Sequence, residues 1–282
     1  MNRPDVRIRE PRESEFAACR MLLPDACADA TGRVFLLAFE GPSMVGAASY
    51  RDDGAALNGL RLHVIEARRR CGIGSRMLEL VVERARQSDR EKILADAELK
   101  NETAAQPFLE QHRFQIAHRL TSAQLGLARM RELYPATVKK MEAAAEFPAT
   151  ARIVGIAEAP PDQVVRMCVE YLANMPLLAG MTRGFRPEQY PESLVLLIDG
   201  KVIGLLLAQL EDRILRIPAW VVSADRQGAR IGTRLMLELR ERVYGRVDRL
   251  QFDFTDTSPT AKLAAQAGAE IVRIAARFER LV

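Results

Sequence analysis

Apolar and polar positions along the chain switch between the period of a strand and the period of a helix. Val6 to Arg9 places apolar and charged side chains in turn, the pattern of a half-buried strand, and Pro11 ends it. Glu13 to Leu23 has helical spacing, with Phe16, Cys19, Met21 and Leu22 as the expected buried stripe. Val34 to Phe39 and Met44 to Tyr50 read as a hairpin around Gly41-Pro42. Asp52-Asp53-Gly54 is a turn signal, after which Ala56 to Ile65 returns as a strand. A helix from Ser75 to about Gln87 carries apolar side chains at Met77, Leu78, Val81 and Val82. A strand at Lys92 to Leu99, a short helix from about Thr103 to Gln111 and a strand region from Phe114 to about Leu127 complete this half.

The same order returns further on. Ile153 to Ala159 reads as an opening strand and Pro161 to Leu172 as a helix. Leu194 to Ile198 and Lys201 to Leu210 form a hairpin on Asp199-Gly200, followed by a strand from Ile214 to Val222. A helix at Leu235 to Val243, a strand at Leu250 to Phe254, a helix at Pro259 to Ala267 and a strand at Ile271 to Leu281 close the set. The residues themselves recur at one offset, 158 positions from Arg68 to Arg226. Ile73, Gly74 and Arg76 come back as Ile231, Gly232 and Arg234. Val45-Gly46 comes back as Ile203-Gly204, and Glu83-Arg84 as Glu241-Arg242. A period this long indicates two tandem domains rather than a solenoid. The expected division is residues 1–127, a helical linker at 128–149 broken by Pro135, and residues 150–282.

The repeat centres on the stretch Arg68-Arg69-Arg70-Cys71-Gly72-Ile73-Gly74-Ser75-Arg76, which joins a strand to a helix. A glycine turn at a helix start lines up free backbone N–H groups at the positive helix end, a seat for phosphate oxygens. A dinucleotide fingerprint would need a glycine where Met77 stands, and the Gly-Lys-Ser/Thr of a P-loop occurs nowhere. What remains, Arg69-x-x-Gly72-x-Gly74, resembles the acyl-CoA pyrophosphate motif of the GNAT acyltransferase superfamily. The resemblance covers roughly Val6 to Leu127 and again Ala151 to Val282. It implies an α/β (α+β) chain of two GNAT-like domains, each a mixed, mostly antiparallel sheet flanked by helices.

The resemblance also implies roles. Backbone groups of Leu62 and Val64, then Arg69, Arg70, Cys71, Gly72, Ile73, Gly74 and Ser75, would hold acetyl-CoA or another acyl-CoA in the first half. Val222, then Gln227, Gly228, Arg230, Gly232 and Thr233, would do so in the second, where Arg230 stands in place of the first glycine. The family's leaving-group acid is often a tyrosine four residues before a Gly-Phe pair. Counting back from Arg113-Phe114 gives Leu109, the register of Asn101 and Ala104 gives Phe108, and the second half offers Ala264; none has a hydroxyl. Superfamily acceptors usually bind under the segment after the first helix. That segment is short in the first half and runs from Tyr171 to Ser193 in the second, where Tyr171, Phe185 and Tyr190 are candidates for acceptor binding. Trp220, Asp253 and Asp256 are the catalytic candidates, so turnover is expected in the second half.

Composition narrows the partners. Net charge is +4, and all but six of the 41 basic side chains are arginine, which suits a polyanionic ligand. No dense basic run with interleaved aromatics marks a nucleic-acid surface. Cys19, Cys27, Cys71 and Cys168 lack metal-ligand spacing and read as reduced, mostly buried thiols. The longest apolar runs, such as Val202 to Ala208, are too short to span a bilayer, and Met1-Asn2-Arg3-Pro4-Asp5 has no signal-peptide apolar core. A cytoplasmic protein with no nucleic-acid or membrane partner is expected. The functional expectation is direct acyl transfer to a small amine or amino-acid-like acceptor. The alternative is a non-catalytic acyl-CoA-binding or regulatory protein with degenerate sites. Oligomeric state is not read from these residues.

Overall fold

A computed structural model describes residues 5–28, 30–99, 104–127, 148–173, 186–223, 229–256 and 258–282. Residues 128–147 of the expected helical linker, and Phe185, Gln227 and Gly228, lie outside the described residues. The chain packs as two units, Met1–His118 with Ala275–Val282, and Arg119–Ile274.

In the first unit, strands β1 (Val6–Arg9), β2 (Arg33–Glu40), β3 (Ser43–Asp52) and β4 (Ala56–Val64) pair antiparallel in sequence order. β4 then pairs parallel with β5 (Lys92–Glu98). The helices α1 (Phe16–Leu22) and α2 (Pro24–Ala28) lie on one face, α3 (Ile73–Gln87) and α4 (Ala105–Gln111) on the other. Because both faces are covered, β2 reads as an almost unbroken apolar run. Phe35, Leu37 and Phe39 pack under α1 and α2 with Cys19 and Leu23. Leu36 and Ala38 pack with Ile73, Met77, Leu78 and Val81 of α3. Gly46 of β3 lets α3 lie close: a Cβ there would meet the Met77 sulfur at 3.3 Å.

The second unit repeats this plan. β7 (Arg152–Gly155), β8 (Leu194–Ile198), β9 (Lys201–Glu211) and β10 (Ile214–Val222) are antiparallel, and β10 pairs parallel with β11 (Arg249–Phe254). One face packs under α5 (Pro161–Ala173) through Val164, Cys168, Val195, Leu205 and Leu207. The other packs under α6 (Ala229–Val243) through Leu194, Leu196, Leu206, Leu235 and Leu239. α7 (Pro259–Ala267) starts with Pro259 after Ser258, whose side chain caps the Ala261 N–H. Gly204 repeats the close approach of Gly46, its Cβ position lying 2.9 Å from Ile231.

The final strands differ from the sequence reading. β6 (Gln115–Gly126), expected to finish the first half, runs into the second unit, where Thr121–Gly126 pairs antiparallel with β11. β12 (Glu270–Leu281), expected to finish the second half, ends in the first unit, where Ala275–Leu281 pairs antiparallel with β5. Ala276 and Phe278 are fully buried in the first unit's core, and Arg277 makes a two-pronged ion pair with Asp96 at 2.7 and 2.8 Å. Alternation along a strand states which side chains share a face. It does not state which open edge the strand will occupy.

Three smaller expectations also change. Met21 is 85 % exposed and Phe16 38 % exposed, so α1 buries a narrower stripe around Cys19. The opening strand of the second unit stops at Gly155 and turns into a 3-10 helix. α3 begins two residues earlier than expected, at Ile73, and α6 six residues earlier, at Ala229. Gly74 and Gly232 are therefore first-turn helix residues rather than turn residues.

Candidate functional site

In the first unit the site is built where a sheet comes apart. The β4–β5 pairing runs Ala56↔Lys92, Leu57↔Ile93 and Leu60↔Ala95, then stops, while β4 continues to Val64. An irregularity between Leu57 and Leu60, with Gly59 at φ +61°, bends β4 at that point. The hydrogen bond from the Ile65 N–H to the Val45 carbonyl, 3.1 Å, fixes the register on the β3 side. Hydrogen-bonded and non-bonded pairs alternate in an antiparallel ladder, so the Ala48↔Leu62 and Gly46↔Val64 pairs are non-bonded. The N–H and C=O groups of Leu62 and Val64 consequently turn away from β3, toward the split.

The arginine-glycine turn follows. Arg70 takes φ +65° and Gly72 φ +78°, the left-handed conformation that reverses the chain into α3. Gly72 is the N-cap of α3, with no side chain bonded over the helix end, and a Cβ there would meet nothing within 4 Å. The first intrahelical bond from this turn is Arg76 N–H to the Gly72 carbonyl, so the N–H groups of Ile73, Gly74 and Ser75 precede the ladder. The surrounding arginines divide. Arg68 pairs with Glu40 at 2.5 Å and Arg76 donates to the Val6 carbonyl at 2.7 Å. Arg69 donates from Nε to the Val64 carbonyl at 3.1 Å, drawing the turn back onto β4. Arg70 and Cys71 are exposed beside them.

α4 supplies the wall. Phe108 lies 3.4 Å from where a Gly74 Cβ would stand, as does Leu62. His112, one helical turn after Phe108 and packed against it with ring centroids 4.7 Å apart and the planes tilted by 55°, shares a 2.9 Å hydrogen bond between Nε2 and the Ser75 hydroxyl. Burial and the nearby Arg280 charge hold the His112 imidazole below its usual pKa, against the opposing pull of Glu79. Arg113, at φ +65°, holds the left-handed position where the resembled motif has glycine. That places Leu109 in the tyrosine position, where it is buried. Asp96 on β5 is engaged by Arg277.

The second unit has the same framework. β10–β11 pairing stops at Ile217↔Phe252, and an irregularity falls between Arg216 and Ala219, across Pro218. Ser223 N–H bonds the Ile203 carbonyl at 2.9 Å, as Ile65 does Val45, so the backbones of Trp220 and Val222 face the split. The space over the helix start differs. A Cβ on Gly232 would lie 2.0 Å from Trp220 Cζ2 and 2.4 Å from its Nε1. Gly232 is buried, whereas Gly74 is half-buried.

The catalytic candidates of the second half do not converge. Asp253, just past the last β10–β11 pair, accepts a hydrogen bond from Ser122 and faces Tyr171 of α5. Tyr190 and Tyr171 both pack against the same buried cluster. Trp220 lies on the opposite face of the sheet, with α6, and Asp256 is an exposed partner of Arg119 at 3.6 Å. Side-chain placements of Arg230 and Thr233 lie outside the description. Burial raises the Asp253 pKa despite Ser122, Arg273 and Arg216, which act to lower it. A raised folded pKa means that the native state binds the proton more tightly. Stability is therefore greatest below the ordinary carboxylate range and falls as pH rises through the shifted pKa. Asp253→Asn is expected to remove that fall, seen as a flatter melting temperature between pH 4 and 7 than the parent shows. Of the thiols, burial pushes Cys168 up to about 12, and Cys71 is exposed, against the expectation of mostly buried cysteines.

The Trp220–Gly232 contact has its own test. Gly232→Ala forces the indole to move and is expected to cost about 1–3 kcal/mol, the range for overpacking. Gly74→Ala places its Cβ at ordinary contact distance and is expected to be neutral. Thermal melts of the two variants make the comparison.

Comparison with known proteins agrees with this geometry. Residues 4–114 match the model of the Acetyltransferase (GNAT) family. None of the curated proteins matches the sequence significantly. Among solved structures, a tandem GNAT protein from the clavulanic acid biosynthesis pathway is 17% identical over 98% of each chain, with TM-score 0.61. A GCN5-related N-acetyltransferase from Sphaerobacter thermophilus is 17% identical over 99% of this chain and 97% of its own, with TM-score 0.60. Another from Kribbella flavida is 15% identical over 98% of this chain and 71% of its own, with TM-score 0.57. Among the described residues no helix is long and apolar enough to cross a membrane. Residues 4–114 are thus a domain of the GNAT acetyltransferase family, and the chain as a whole has the fold of a tandem GNAT protein.

Proposed function

We propose that this protein is an acetyl-CoA-dependent N-acyltransferase of the cytoplasm acting on a small amine or amino-acid-like acceptor, with the donor held by the first unit. The observation that carries the reading is the coincidence of an uncapped helix start with the opening of the sheet beside it. Pyrophosphate oxygens fit the N–H groups of Gly72, Ile73, Gly74 and Ser75, with Arg70 and Arg69 adding positive charge. The amides of the pantetheine arm fit the outward backbone groups of Leu62 and Val64, which replace the missing ladder partner. The bound thioester supplies the activated acyl group. The protein's part is to hold it in line with an incoming amine and to exclude competing water. Tyr171 and Tyr190, expected to hold acceptor, pack against the second unit's own core cluster, and the donor reading gives them no part.

A second reading, a non-catalytic acyl-CoA-binding protein, is favoured by one feature. Leu109 and Phe108 bring no hydroxyl to the place of the leaving-group acid, and Asp96 is tied to Arg277. Free-thiol release from acetyl-CoA, measured over a panel of small amines, separates the two. Amine-dependent thiol release supports transfer. Tight donor binding without release under any amine supports the binding protein.

A further inference from the structure

We infer that the Trp220 indole closes the second unit's donor site, so that the chain takes one acyl-CoA, in the first unit. The inference rests on the donor reading above and adds a stoichiometry and a residue that sets it.

The two units make the comparison internally. At the offset that carries Gly74 onto Gly232, Leu62 becomes Trp220. Both side chains stand on the face of the sheet that carries the helix, and both lean over that helix's first turn. Leu62 stays 3.4 Å from the Gly74 Cβ position and leaves Gly74 half-buried. Trp220 comes to 2.0 Å of the equivalent point, with three indole atoms, Cζ2, Cε2 and Nε1, within 2.4 Å. At that distance the ring rests on the glycine's own Cα, and Gly232 is buried beneath it. A phosphate bound by a helix start must reach the first-turn N–H groups at about 2.7–3.2 Å. In the second unit the indole occupies the space over Gly232, the fourth residue of α6, where the matching Gly74 of α3 is left open. The second unit keeps the backbone of a donor site, with its split sheet and outward strand groups, and fills the seat with its own side chain. Gly232 makes room for the indole, since any side chain there would collide with it.

The chain contains a single tryptophan, so its emission reports on the second unit alone. Calorimetric titration of acetyl-CoA into the full chain is expected to give one site per chain, with the tryptophan emission unchanged at saturation. Trp220→Leu, which installs the first unit's residue, is expected to give two sites per chain. Gly74→Glu on that background is expected to return the count to one. Two sites in the parent chain, or emission quenched in step with its single site, would overturn the inference without any variant. A count that stays at one in folded Trp220→Leu would also overturn it, since the indole would not be what closes the seat. No binding by the parent chain would instead bring down the donor reading, and this inference with it.

Discussion

Gly74→Glu is expected to lower the affinity of the chain for acetyl-CoA by about three decades. Gly74 sits in the first turn of α3, between Leu62 and Phe108, where a ligand must lie against backbone. A glutamate there sets a carboxylate beside the pyrophosphate. Two like charges about 4 Å apart at an effective dielectric near 20 repel by roughly 4 kcal/mol, and every 1.4 kcal/mol is about tenfold in affinity. The fold has reason to survive, since an added Cβ meets its neighbours at 3.4 Å and the carboxylate end can reach solvent at this half-buried position. Calorimetry of the variant, with a thermal melt as the folding control, makes the measurement. Unchanged affinity in a chain of unchanged stability would remove the donor from this turn. The Arg69→Ala variant should do less, because its guanidinium already donates to the Val64 carbonyl and backbone donors carry the seat.

The second large effect is far from this turn in sequence. Phe278→Ala is expected to destabilise the first unit by about 3–5 kcal/mol, the usual cost of removing a buried phenyl ring from a core. Phe278 is fully buried, pairs across β12–β5 with Ala95, and packs in the cluster that holds Leu57, Leu78 and Ile93. The first unit therefore depends on a residue near the end of the chain. Hydrogen exchange gives the readout. Amides of β4, β5 and α3 should lose protection, while those of β8, β9 and β10 keep theirs. Loss confined to residues 150–274 would mean that the last strand finishes its own half after all. A two-state treatment of the whole chain would hide this distinction, since the two units need not unfold together.

The sequence by itself determined the elements, their order and their duplication, because these depend on local periodicity and on residues recurring at one offset. The apolar runs of Leu194 to Ile198 and Lys201 to Leu210 on either side of Asp199-Gly200, or helical spacing at Met77, Leu78, Val81 and Val82, require no knowledge of a partner. The same holds for the arginine-glycine turn: glycines and arginines between a strand and a helix are visible without any knowledge of a partner. Leu62 and Val64 were expected to hold the donor by resemblance; the register through Ile65 and Val45 turns their backbone groups away from β3.

Tertiary structure alone decided which strand completes which sheet, since β5's open edge accepts any strand of suitable alternation and burial of Ala276 and Phe278 selects β12. It alone separated Trp220 from Asp253, which a reading along strands had grouped as catalytic partners. They stand on opposite faces because neighbouring side chains on a strand point opposite ways, and each faces a different helix. It also placed the Trp220 indole against Gly232. In the sequence, Arg230 looked like the alteration that mattered, and Trp220 like an asset. The distance from the indole to Gly232 reverses that order: a one-dimensional reading registers a missing glycine, but not a side chain from another strand that fills the space above one.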